Sequence, residues 1–90
     1  MKKAEKAHLK RVAEMGCIAC ERINYFDTPS EIHHIRTGMG MGQRNDHYHV
    51  IPLCPNHHRH LPNAIHQSKR KFEAHFGTEV ELLNIIRGRL

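Results

Sequence analysis

The chain has no tryptophan, and aromatic residues fill only 6% of its 90 positions. A domain of this size hides only about 60% of the surface its unfolded chain exposes. A core so short of large rings therefore needs another source of cohesion, such as a metal or a partner. Cysteine is scarce as well: with only 3 of them, a framework of disulfides alone leaves one thiol over. No stretch is long and apolar enough to span a bilayer, and the opening MKKAEKAHLK lacks the apolar run of a secretory signal. The expected setting is the reducing cytoplasm, free of membrane, where cysteine serves metals more often than disulfides. Acidic side chains are outnumbered, 9 against 14 Lys and Arg, for a net charge of +5 with His neutral. That balance suits an anionic partner, most naturally DNA.

What the chain does have is histidine, 10 in all, several of them adjacent. A packed core has no use for neighbouring imidazoles; a metal does. The pattern around them predicts an α+β fold, a small domain with one β-hairpin packed by several helices. Residues 2–15 read as a strongly basic helix with Leu9, Val12 and Ala13 inward and Gly16 as its stop. Residues 21–30 read as loop, 31–35 as a strand, 37–46 as a glycine-rich hairpin tip and 47–53 as the return strand, with Pro52 marking an end or an edge. A short helix follows Pro55, and a longer one is expected over 63–77, capped by Asn63, with Ile65, Phe72 and Phe76 inward. Thr78 and Glu81 form a capping box for a last helix that buries Leu82, Leu83, Ile85 and Ile86. The expected organisation is a single domain over 1–90: a basic N-terminal helix (1–15), a zinc knuckle and hairpin–helix core (17–60) and C-terminal helices (63–90).

Cys17 and Cys20 in CIAC, then Cys54 and His57 in CPNH, repeat one two-residue spacing. Two such knuckles supply the four ligands of a closed, tetrahedral structural zinc site. The bland alternative, three small buried thiols, leaves the repeated spacing unexplained. Zinc held there would tie the end of the first helix to the start of the helix after the hairpin.

His33, His34, His49, His58 and His66 remain. Adjacent helical residues point about 100° apart, so if His57 faces the zinc, His58 faces away from it, toward the hairpin. In a strand, neighbours point to opposite faces, so His33 and His34 meet at one point only where the strand ends or bulges. One can then ligate a metal while the other reaches a bound water or phosphate. His8, His47, His60 and His75 read as surface residues.

The order IHHI, loop, return strand, IPLCPNHHRH resembles the ββα-metal, or HNH, nuclease motif. With CIAC, AIH and KFEAHFGTEVELL in sequence, residues 15–84 resemble the phage RecA-dependent nuclease family, the Ref-like proteins. The resemblance implies a zinc-stabilised HNH endonuclease acting on DNA in a phage or prophage setting within a bacterial cell, with a RecA-type filament as a partner. It implies catalytic roles for His33, His34 and His49, with His34 as general base. It also implies a catalytic divalent metal, Mg²⁺ or Mn²⁺, or Zn²⁺ in a crystal, on His33 and His58. His66 is either a third ligand or a ring packed on the knuckle helix. His49 stands where the motif usually carries Asn, and either orients His34, contacts phosphate or is structural. Products would carry a 5′-phosphate and a 3′-hydroxyl. Arg36, Arg44 and Arg59 flank this site as candidate phosphate contacts. Two other readings compete: a zinc-stabilised DNA-binding or recombination-accessory module without catalysis, and a protein-interaction module. The histidines left over after the zinc set favour the nuclease.

Overall fold

The structure is a computed structural model and describes residues 1–37 and 46–90. In chain order the elements are α1 (Lys3–Glu14), α2 (Ile18–Arg22), β1 (Glu31–His34), β2 (Val50–Leu53), one turn of π-helix (Asn56–His60), α3 (Lys69–Phe76) and α4 (Glu79–Arg87). This is a small α+β arrangement with a two-stranded antiparallel hairpin at its centre. The glycine-rich tip expected between the strands, and Arg44 with it, falls outside the described residues apart from its ends.

β2 is buried along its whole length and packs against α1, α2 and α4. The register sets His33 opposite Ile51 and His34 opposite Val50. Pro52 sits inside β2, paired with Ile32, which a two-stranded sheet tolerates because both its strands are edges. The helices bury the expected stripes: Val12 from α1, Phe72 and Phe76 from α3, and Leu82, Leu83 and Ile86 from α4. Gly16 ends α1 at φ +80°, where a Cβ would come within 3.2 Å of the Thr28 carbonyl oxygen.

Three elements differ from expectation. The knuckle does not run straight into loop; Cys17 caps α2, its Sγ accepting the Cys20 amide at 3.4 Å. The return strand starts at Val50 because Asp46 folds residues 46–49 into a turn, its Oδ1 accepting from the Tyr48 amide at 2.9 Å and its carbonyl from the His49 amide at 3.2 Å. The helix expected from Asn63 begins only at Lys69, with Ser68 as its cap. Residues 64–66 instead run beside the π-helical turn: the Ile65 amide donates to the His57 carbonyl at 2.9 Å and the His66 amide to that of His58 at 3.1 Å. Those two bonds outweigh the local preference for helix and set His66 beside His58.

Candidate metal centres

Among the described residues, two groups have ligand atoms within 4.8 Å of one another: Cys17, Cys20, Cys54 and His57, and His33, His58 and His66. The first is buried throughout. Its edges measure 3.7 Å for Cys20 Sγ to Cys54 Sγ, 3.3 Å and 3.2 Å from His57 Nδ1 to Cys20 and Cys54, and 3.9 Å from His57 Nδ1 to Cys17. A tetrahedral zinc ion with ordinary Zn–S and Zn–N bonds has edges of about 3.8 Å and 3.6 Å, so the four atoms outline a site that could hold a metal such as zinc. Burial pushes the Cys17 thiol up to about 12 and pulls the His57 imidazole below its ordinary value. A bound cation is what would make such a thiol a thiolate.

The second group is built from three separate elements. β1 supplies His33, the π-helical turn His58, and the following turn His66. His58 and His66 bring their Nε2 atoms to 3.0 Å. The rings of His33 and His66 lie 5.1 Å apart, as do those of His33 and His58. His57 and His58, neighbours in sequence, thus serve different groups. β1 ends at His34, so both His33 and His34 reach one open cavity of about 180 Å³, lined also by Ile32, Arg36, His58 and His66.

Two carboxylates hold these imidazoles. Glu31 Oε1 lies 2.6 Å from His58 Nδ1, which leaves Nε2 of His58 turned to His66. Glu79 Oε2 lies 2.6 Å from His33 Nε2, which leaves Nδ1 as the nitrogen that His33 could offer a metal. Glu79 is buried at the start of α4. It also accepts from the Arg36 and Thr37 amides at 3.0 Å and from the Thr37 hydroxyl at 2.7 Å, with Lys69 Nζ at 3.5 Å. Burial alone would raise its carboxyl; the bonds from His33, Thr37 and the Arg36 amide win and bring it down to about 2. Burial lowers His58, with the Glu31 bond opposing, and lowers His66, with His58 and His33 adding to it. Neutral imidazoles are the form that binds metal.

Other sites expected from sequence sit as follows. Arg36 lines the cavity. Arg59 makes a two-pronged ion pair with Glu31, at 2.9 Å and 3.0 Å. The ring described against His34 is that of His47, Nδ1 to Nε2 3.0 Å, where His49 was the expected neighbour; His49 Nδ1 instead meets Asp46 Oδ1 at 2.7 Å. Glu31, Glu79 and His47 were missed from sequence. The signal for Glu31 was there, since it shares a strand face with His33 two residues on; Glu79 reads only as part of a helix cap.

A hairpin flanked by helices, with a buried Cys₃His group that could hold a metal and an imidazole cluster beside it, makes up a small α+β domain. The chain belongs to the recombination-enhancement, RecA-dependent nuclease family, whose model matches residues 2–90. No curated protein and no solved structure matches it. The family supports a nuclease role in recombination. No helix among the described residues is long and apolar enough to cross a membrane.

Proposed function

We propose that the chain is a single-domain HNH endonuclease of phage or prophage origin that hydrolyses DNA phosphodiester bonds with a divalent metal and a histidine base. The observation that carries this reading is the convergence of His33, His58 and His66 on one point, with His34 in the same cavity. A purely structural zinc module has no need of that second cluster.

The donor set fits a metal: three imidazoles, two of them oriented by carboxylates, which is the usual support of a ligating histidine. Imidazole suits Mn²⁺ or Zn²⁺ better than Mg²⁺, which prefers oxygen. When bound, such an ion supplies charge neutralisation at the phosphate and stabilisation of the leaving oxygen. The chain's own residues do the rest. His34 takes a proton from the attacking water. Arg36, at the cavity edge, meets the phosphate charge. Glu79 and Glu31 keep the ligand rings from turning. Among the described residues no helix is recognisable as a base reader, so contacts are to the backbone and sequence preference is weak.

Plasmid nicking by wild type and His34→Ala, with Mn²⁺, Zn²⁺ or Mg²⁺ and with or without a RecA-type filament, tests this. Wild type should cut and the variant should lose about 100-fold or more. A variant as fast as wild type removes the mechanism. If neither protein cuts under any condition yet both bind DNA, the accessory-module reading takes its place.

A further inference from the structure

His47 belongs neither to the Cys₃His group nor to the imidazole cluster, yet its ring lies against His34. The rings stand edge-on, centroids 5.2 Å apart and planes at 65°, with His47 Nδ1 3.0 Å from His34 Nε2. In such a contact one ring nitrogen donates its proton and the other accepts it, and the tautomer decides which. If His34 donates from Nε2, its Nδ1 holds a lone pair and can act as a base. If His47 donates instead, His34 carries its proton on Nδ1 and cannot.

The backbone delivers His47 to this contact. Asp46 Oδ1 accepts from the Tyr48 amide at 2.9 Å and meets His49 Nδ1 at 2.7 Å. The His49 carbonyl then accepts from the Ile35 amide at 3.0 Å. The turn that carries His47 is thereby tied to the residue that follows His34. This also gives His49 a task, as a pin of the turn.

We propose that His47 is the positioning residue of the proposed reaction: its Nδ1 accepts the Nε2–H of His34 and so decides which ring nitrogen of His34 keeps the lone pair. The inference rests on the reading of His34 as general base. In the step itself, one O–H bond of water breaks as an N–H bond forms at His34 Nδ1. The hydroxide electron pair goes to phosphorus, the P–O bond to the 3′ oxygen breaks, and that oxygen takes a proton from solvent. The imidazolium left behind donates from Nε2 to His47 in a charge-assisted hydrogen bond, which is about twice as strong as the neutral one. His47 itself neither gains nor loses a proton, and His34 later returns its own to solvent.

The test compares His47→Ala, His47→Asn and His34→Ala with wild type, each as the zinc-loaded full chain under the conditions in which wild type cuts. An Asn side-chain oxygen can stand near the place of Nδ1 and accept the same bond. His47→Ala should lower kcat about 10- to 100-fold with KM nearly unchanged, and His47→Asn should recover most of it. Long-range ¹H–¹⁵N spectra read the tautomer without any cutting: His34 should carry its proton on Nε2 in wild type and in His47→Asn. If His47→Ala cuts at the wild-type rate while His34→Ala is inactive, His47 positions nothing. A loss confined to KM, an Asn variant as poor as Ala, or Nδ1–H in wild type also overturns the proposal. A His34→Ala protein that cuts normally overturns the general-base reading instead, so the two failures are told apart.

Discussion

His33 and Glu79 meet at 2.6 Å although 46 residues separate them, and both are almost wholly buried. The pair joins the end of β1 to the start of α4, and Glu79 holds the Arg36 and Thr37 amides in the same grip. A carboxylate at a helix N-terminus is favoured by the helix dipole, and here every oxygen has donors. The contact that orients a candidate metal ligand is therefore also a link in the fold.

That link predicts a pH-dependent part of stability. The Glu79 carboxyl takes up its proton near pH 4.5 when unfolded and at about 2 when folded. Its contribution is complete above about pH 4.5 and disappears as the pH falls toward 2, amounting to about 3 kcal/mol. Glu79→Gln should lower stability at neutral pH by a similar amount, a large share of the ~5–15 kcal/mol a domain has. Urea unfolding between pH 7 and 3 should show wild type losing more stability on acidification than the variant. Parallel curves would show that the carboxylate is not held as described.

Glu31 offers a cleaner separation of site from scaffold, because it is about one-third exposed. Glu31→Ala frees His58 Nδ1 and leaves the Cys₃His group alone. The second-site affinity for Mn²⁺ or Co²⁺ should fall about 10- to 100-fold, with little change in melting temperature and full retention of one tightly held zinc. Unchanged affinity in a direct titration would mean that His58 needs no carboxylate to orient it.

The legible parts of this molecule were those set by local spacing. The grouping of Cys17, Cys20, Cys54 and His57 was readable because a repeated two-residue spacing suits the corners of a tetrahedral site. The divergence of His57 and His58 followed from helical geometry, and the inward residues of α1, α3 and α4 from their periods. The carboxylate partners were not readable, because Glu79 reaches back across the whole hairpin and Glu31 across 27 residues, and no local period marks such pairs. The start of α3 was misplaced for a similar reason. Asn63 is a good cap locally, but the bonds from residues 65 and 66 to the π-helical turn hold that stretch as turns beside it. His47 passed as a surface residue since its contact depends on the turn that Asp46 makes.

Gly16 tests the entry to the first knuckle. An L-residue at φ +80° is strained by roughly 1–2 kcal/mol, and its Cβ would also crowd the Thr28 carbonyl at 3.2 Å. That same carbonyl accepts the Cys17 amide at 2.9 Å, so relief by backbone movement disturbs a member of the Cys₃His group. Gly16→Ala should lower the melting temperature by on the order of 5–15 °C and speed zinc loss to a chelator. Calorimetry showing an unchanged melting temperature would contradict the geometry.

The sharpest contrast lies between adjacent residues. Zinc bound by knuckle ligands is worth an apparent ~10–16 kcal/mol, comparable to the whole stability of a small domain. Chelation of wild type should therefore unfold it, and His57→Ala should be unfolded or retain little zinc as purified. His58→Ala removes a ring of the second cluster, one that meets Glu31, His66 and the ring of His33. It should keep one zinc per chain, keep a wild-type far-UV circular dichroism spectrum, and lose both second-site metal binding and DNA cutting. Metal analysis alongside circular dichroism on the two variants decides the matter. If His57→Ala stays folded with full zinc, or His58→Ala loses its fold together with its zinc, the division of labour between these two neighbours is wrong.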